Sequence, residues 1–305
     1  MKTRMLLDLT AWYLRRSPIE KGRWRLLRWA LDTSRHTLTE HELRILKTRK
    51  GFSMIVDLGD WLGRHVFVSG EYEPATTAIV EALLRPGDIM VDVGANIGYF
   101  SLLAAKRVGP QGAVIAFEPM PSTCARLREN VKLNALSQVA VRTEAIYCEN
   151  GMKEFNEGPA DHCGISSLRS IERTSKTIQV VTARGDSLLP PELPVAMIKI
   201  DVEGAELQAL EGLEQTLQRH TPDLIVEVTD EYLRGMGHTA AELHAFLNRL
   251  GYRMYVIREA GLDEICVGQS LPRGQFNALF STKDDLPRRI NDFPVREAAP
   301  LAEQV

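Results

Sequence analysis

Val91-Asp92-Val93-Gly94-Ala95-Asn96-Ile97-Gly98-Tyr99-Phe100 is the stretch that decides the fold. The apolar run Ile89–Val93 reads as a buried strand, and a helix is expected directly after the glycines, over Phe100–Val108. Gly94 allows a tight turn and close approach of a ligand to the backbone. Gly98 lets the helix begin close to the strand. Working outward, strands are expected at Ala113–Phe117, Val139–Val141, Ile178–Val181, Ala196–Ile200 and Leu224–Val228. Helices are expected at Pro74–Leu84, Pro121–Leu133 and Ala205–Leu217. Thr239-Ala-Ala-Glu242 is a capping box opening a further helix that Gly251 ends. Two late strands follow, at Tyr252–Ile257 and Phe276–Phe280. Strands alternating with helices at this spacing imply an α/β fold with a mostly parallel sheet covered on both faces. Upstream, residues 52–58 and 61–68 read as a β-hairpin around Gly59-Asp60.

The glycine turn lies where ligands bind in parallel sheets, beyond the carboxyl ends of the strands. Glu118 ends the next strand, placed to accept both hydroxyl hydrogens of a ribose. Dinucleotide enzymes carry GxGxxG; here Gly94 and Gly98 are four apart with Asn96 between them, so the pyrophosphate-hugging glycine is missing. Asp92 suits a cationic ligand group instead, such as the amino or sulfonium group of S-adenosylmethionine.

The chain has 305 residues, 44% of them hydrophobic and 25% charged, which fits one folded domain with appendages rather than disorder or coiled coil. No apolar run approaches the roughly 18–20 residues of a membrane span, and no signal peptide is apparent at the N-terminus. Cys124, Cys148, Cys163 and Cys266 are scattered without CxxC spacing, so a reduced, cytoplasmic protein without a zinc site is expected. The net charge of −3 conceals an asymmetry: residues 1–50 carry 13 Lys/Arg against 5 Asp/Glu, and three of the four tryptophans, Trp12, Trp24 and Trp29. This segment is expected to form a helical arm over 4–16 and 22–32, split at Pro18 and Gly22. Met5, Leu6, Leu9, Trp12 and Tyr13 fall on one side of its first helix. The preferred expectation is a cap whose tryptophans pack on the main domain. The alternative is peripheral membrane contact through residues 1–35; nucleic acid is not expected. Residues 284–305 read as a loose tail.

Asp92-x-Gly94-Ala95-Asn96-x-Gly98, Phe117-Glu118-Pro119 and Lys199-Ile-Asp201-Val-Glu203-Gly204-Ala-Glu206 together resemble the FkbM family of S-adenosylmethionine-dependent methyltransferases. Gly70-x-Tyr72-Glu73-Pro74 and Gly164-Ile-Ser166-Ser167-Leu168 are also similar to its pattern. The resemblance covers about residues 52–283. It implies a Rossmann-like, seven-stranded methyltransferase sheet with one late antiparallel strand, in a domain spanning 51–283 behind the arm of residues 1–50. It also implies S-adenosylmethionine as cofactor and methylation of an oxygen on a sugar, glycan precursor or natural product. The expected cofactor residues are Glu73, Asp92, Gly94, Ala95, Asn96, Gly98, Glu118 and Pro119.

Methyl transfer to an alcohol needs an in-line acceptor and a group to take its proton. Asp201 ends the fourth core strand and is the first choice of base, with Glu203 and Glu227 as competitors. Lys199 lies two residues before Asp201 on the same strand face, where it neutralises Asp201 or orients the acceptor oxygen. Glu206 is expected to serve the helix N-terminus. Asp201 with another acid could hold Mg²⁺, but no metal is expected. The polar segment 156–176, with His162, Cys163, Ser166 and Ser167, reads as a loop over the site. Asp230–His238, carrying Tyr232, Arg234, Met236 and His238, is expected to help form the acceptor pocket. N-methylation and a non-catalytic binding module remain the alternative readings.

Overall fold

The computed structural model describes residues 2–16, 23–37, 41–158, 167–168, 176–290 and 293–296. Two helices, α1 (Lys2–Arg16) and α2 (Arg23–Thr37), precede a hairpin of β1 (Leu43–Lys47) and β2 (Ser53–Asp57). Helices α3 (Trp61–Ser69) and α4 (Pro74–Leu83) lead into β3 (Ile89–Val93), α5 (Tyr99–Val108), β4 (Ala113–Phe117), α6 (Pro121–Leu133) and β5 (Val139–Arg142). Strands β6 (Ala145–Ile146), β7 (Gly151–Glu157) and β8 (Lys176–Ala183) form a small separate sheet. Then come α7 (Gly185–Leu188), β9 (Val195–Ile200), α8 (Glu206–Gly212), α9 (Glu214–His220), β10 (Asp223–Thr229), α10 (Asp230–Gly235) and α11 (Ala240–Arg249). The described chain closes with β11 (Arg253–Arg258), β12 (Gly261–Ile265), β13 (Gln275–Ser281), α12 (Leu286–Arg289) and β14 (Val295–Arg296).

The main sheet runs β14-β12-β11-β13-β10-β9-β3-β4-β5. Its seven strands from β11 to β5 are the expected Rossmann-like unit, and β13 is the late strand antiparallel to both its neighbours. Strands β12 and β14 extend it beyond β11. Side chains alternate across the sheet: Met90 and Ala116 pack with Leu102, Leu103 and Val108 on one face, while Val91, Val93 and Phe117 meet Ile198, Leu210 and Leu217 on the other. Val93 sits level with both Phe117 and Ile200, so β3, β4 and β9 end together. Successive strands depart in opposite directions from β3, toward β4 on one side and β9 on the other. The crevice therefore opens at this switch point.

Several expectations need correction. Residues 61–68 form helix α3 rather than a strand; Asp60 caps it by accepting the Gly63 N–H at 3.1 Å, and Leu62, Val66 and Phe67 are buried. Val66-Phe67-Val68 has strand-favouring residues, but the cap and burial around the helix prevail. The hairpin partner of residues 53–57 is instead Leu43–Lys47, inside the segment expected to be only helical arm. Residues 176–183 belong to the small sheet. The helix expected over 205–217 is broken at Leu213. The described part of the tail is docked: Leu286 and Ile290 are buried, and Arg289 reaches the buried Asp223 at 2.7 Å.

The arm turns differently from expectation. Leu7, Ala11, Leu14 and Ala30 join the core, whereas Trp12 and Trp29 are 53% and 41% exposed. The side chain of Trp24 lies outside the described residues. Among the described residues no helix is long and apolar enough to cross a membrane, and Cys124, Cys148 and Cys266 are free thiols. Cys163 lies outside the described residues.

Candidate active site

The turn after β3 is held by its neighbours. The N–H groups of Gly94 and Ala95 both donate to the Phe117 carbonyl at 3.0 Å, and the Asp201 N–H donates to the Val93 carbonyl at 3.0 Å. Gly94 has φ +81°, and a Cβ there would overlap the Asp201 carbonyl oxygen. Only glycine lets the β3 and β9 ends approach this closely. Asn96 is also left-handed, at φ 50°, and its N–H donates to Glu118 Oε2 at 2.9 Å. Gly98, expected to bind cofactor, does not line the cleft. Its missing side chain makes room for Leu127 of α6.

The strand ends enclose a cleft of about 1320 Å³. That exceeds the roughly 300–1,000 Å³ of a site for one small ligand, so two can be held side by side. Its lining includes Glu73, Asp92, Gly94, Ala95, Asn96, Glu118, Pro119, Lys199, Asp201, Glu203 and Glu227. All the expected site residues except Gly98 therefore converge here, although they span more than 150 positions of sequence.

Asp92 is buried; its Oδ2 accepts from Ser101 Oγ at 2.5 Å, and its Oδ1 is buried without a hydrogen-bond partner. A buried acceptor left open calls for a donor from a ligand. Burial pushes the Asp92 carboxyl up, against the pull of Lys199 and Ser101. Glu118 Oε1 accepts the Met120 N–H at 2.9 Å, so each of its oxygens holds one backbone bond and keeps lone pairs for more. Burial, then Asp92 and Asp201, push Glu118 up to about 7, against the backbone bonds from Met120 and Asn96.

On β9, level with Asp92, Lys199 Nζ lies 2.8 Å from Asp201 Oδ2 and 4.8 Å from the centre of the Phe100 ring. Burial alone would lower the Lys199 ammonium, but Asp201, Glu73 and Asp92 outweigh it and raise it. Asp201, Glu203 and Glu227 bring carboxylate oxygens within 4.8 Å of one another. Burial, then Asp201 and Glu203, hold Glu227 well above the usual carboxylate range. These three carboxylates are the ligand chemistry of Mg²⁺, yet the ammonium at 2.8 Å already supplies a cation to Asp201.

Glu206 turns away from the cleft. Its Oε1 accepts the Gly204 N–H at 2.9 Å, closing the turn as a helix N-terminus needs. Ser167 is buried, its hydroxyl donating to the Glu203 carbonyl at 2.8 Å. His162, Cys163 and Ser166 lie outside the described residues. From Asp230–His238 only Tyr232 lines the cleft; Arg234 pairs with Asp230 at 2.7 Å instead.

Sequence reasoning missed Gln275 and Asn277. The Gln275 amide donates to Glu227, and Asn277 Nδ2 donates to Glu73 Oε2 at 2.9 Å. Two amides two residues apart share one strand face, which was a usable signal. Trp61, His65 and Tyr72 add an aromatic wall, the last two 5.9 Å apart, and burial pulls His65 down to about 4, keeping it neutral. The strand reading of residues 61–68 hid that wall.

Residues 92–254 match the methyltransferase FkbM domain pattern. Methyltransferase 1 of Beauveria bassiana is 27% identical over 166 residues, 46% of this chain and 64% of that protein. Hexuronic acid methyltransferase AglP of Haloferax volcanii is 31% identical over 151 residues, 49% of this chain and 59% of that one. The 31-O-demethyl-FK506 methyltransferase FkbM of Streptomyces tacrolimicus is 29% identical over 197 residues, 51% and 74% respectively. Over the Beauveria and Haloferax proteins the match thus spans less than two thirds of the relative's own length. A solved FkbM methyltransferase from Methylobacillus flagellatus KT superposes with TM-score 0.41 and 16% identity, over 72% of this chain and 53% of that one. The domain pattern covers more than half of the sequence and contains the β3 turn, Glu118 and the Asp201 segment, and this chain belongs to the FkbM methyltransferase domain family.

Proposed function

We propose that this protein is an S-adenosylmethionine-dependent methyltransferase acting on a hydroxyl oxygen of a sugar, glycan precursor or natural product. The observation that carries this reading is the meeting of two groups in one cleft: an open buried acceptor, Asp92 Oδ1, with Glu118, and beside them, where β3 and β9 pair, the Lys199–Asp201–Glu227 cluster. S-adenosylmethionine, when bound, supplies a methyl group on a sulfonium centre. Asp92 accepts from its cationic amino-acid portion, and Glu118 accepts the ribose hydroxyls. The carboxylates of the cluster receive hydroxyl donors of the acceptor.

The environments of Asp201 and Glu227 divide the proton work. Glu227, pushed well above the usual carboxylate range by burial and then by Asp201 and Glu203, is the one suited to keep its proton and donate a hydrogen bond. Asp201, paired with the Lys199 ammonium, takes the hydroxyl proton as methyl transfer proceeds. Lys199, its ammonium held over the Phe100 ring, fixes that carboxylate by the ion pair. The name 31-O-demethyl-FK506 methyltransferase supports oxygen as the acceptor atom, and the name hexuronic acid methyltransferase supports a sugar acid as one kind of acceptor. The test is calorimetric binding of S-adenosylhomocysteine, followed by transfer of labelled methyl to a panel of hydroxylated sugars and metabolites. Binding without turnover on any acceptor would favour a non-catalytic module. Turnover on amines alone would make the enzyme an N-methyltransferase.

A further inference from the structure

Helix α1 is apolar on two opposite sides. Leu7, Ala11 and Leu14 enter the core, as one side of a surface helix should. Met5, Leu6, Leu9, Trp12 and Tyr13 form a second stripe at spacings of one, three and four, and it faces outward: Met5 is 63% exposed and Leu9 56%. A contiguous exposed apolar stripe is unusual on a soluble surface and marks a docking site. Trp29 of α2 is also exposed, beside exposed Arg25 and Arg28. Arg16 lies over the Trp12 ring at 5.1 Å.

We propose that the outer face of α1, with Trp29 and the exposed arginines of α2, seats this protein on an anionic phospholipid bilayer surface. Charge selects this occupant. Residues 1–50 carry 13 Lys/Arg against 5 Asp/Glu, whereas the whole chain has a net charge of −3. A second copy would set one basic arm against another, and like charges oppose that contact. An anionic bilayer offers negative headgroups to the arginines, an apolar layer to Met5, Leu6 and Leu9, and an interface suited to the amphipathic rings of Trp12, Tyr13 and Trp29. The helix lies on the membrane and does not cross it. Leu27 and Leu31 of α2 line the cleft, so the seated arm holds the cleft within about one helix diameter, roughly 10–12 Å, of the α2 surface.

The experiment is co-flotation of the full chain with phosphatidylcholine vesicles, with and without phosphatidylglycerol. The expected result is partition onto the mixed vesicles, little onto the neutral ones, and release by high salt. Leu9→Ser combined with Trp12→Ser should lower partition by about tenfold or more, with an unchanged thermal midpoint because both side chains are exposed. Arg25→Glu combined with Arg28→Glu, two further exposed positions, should do the same through charge alone. Three results would each overturn the proposal. One is no partition onto mixed vesicles at low salt; another is native-like partition of both variants. The third is a native dimer that the Leu9/Trp12 variant converts to monomer, which would assign the stripe to self-association.

Discussion

Glu118→Gln tests the cofactor side of the cleft with the least disturbance. Alanine would leave the N–H groups of Asn96 and Met120, both 2.9 Å from the carboxylate, without acceptors and would damage the turn itself. Glutamine keeps the shape and one acceptor oxygen, but its amide turns donors toward either a backbone N–H or a ribose hydroxyl. Losing a hydrogen bond to a charged group costs about 1.5–3 kcal/mol, so the affinity for S-adenosylhomocysteine should fall by about 10- to 150-fold. The pH dependence is the sharper signature. Because burial pushes Glu118 up to about 7 and ribose hydroxyls donate to the ionised form, cofactor binding must displace a proton below that pH. Affinity should rise about tenfold from about pH 6 to about pH 8 in the native protein, and the slope should be clearly shallower in Glu118→Gln, which has lost the carboxyl at that position. Titration calorimetry at the two pH values, with circular dichroism as a check on folding, reads both effects. An unchanged affinity in the variant, or the same pH slope in both proteins, would refute the assignment of Glu118 to the ribose.

For the acceptor, Asp201→Asn should lower turnover by about 10²–10⁴ at little cost in cofactor affinity, whereas Glu227→Gln, which keeps a hydrogen-bond donor at that position, should cost less than about tenfold; equal losses in steady-state assays would cancel the division of roles. Gly94→Ala should destabilise the fold by about 2–4 kcal/mol, because φ +81° and the Asp201 carbonyl both oppose a Cβ, and a thermal melt within a degree or two of native would contradict that packing. Chelator should leave turnover unchanged if Lys199 is the cation of the cluster, and loss of activity restored by Mg²⁺ would make Asp201, Glu203 and Glu227 a metal site.

The sequence by itself determined the β3 turn, because its causes are local. An apolar run, glycines at left-handed positions and an acid ending the next strand can each be read within about 30 residues. The same holds for β4, α6 and the capping box of α11, where Thr239 and Glu242 bond each other's backbone as the spacing requires. The Lys199–Asp201 pair was also legible, since two residues on one strand must face the same way. Other features depended on what lies opposite. Residues 61–69 end in the strand-favouring Val66-Phe67-Val68, and burial of these side chains in the core together with the Asp60 cap makes them a helix. Gln275 and Asn277 become site residues only when β13 folds back beside β10 and meets Glu227 and Glu73. The described part of the tail docks because Arg289 can neutralise the buried Asp223 and β14 can pair with β12, both distant in sequence. In α1, helical period assigned Met5, Leu6, Leu9, Trp12 and Tyr13 to one side, but Leu7, Ala11 and Leu14 define a second apolar side. Periodicity fixes which residues share a face. Which of two apolar faces enters the core depends on the shape of the surface it must fill, and small Ala11 with the leucines fits closely where the bulky Trp12 does not.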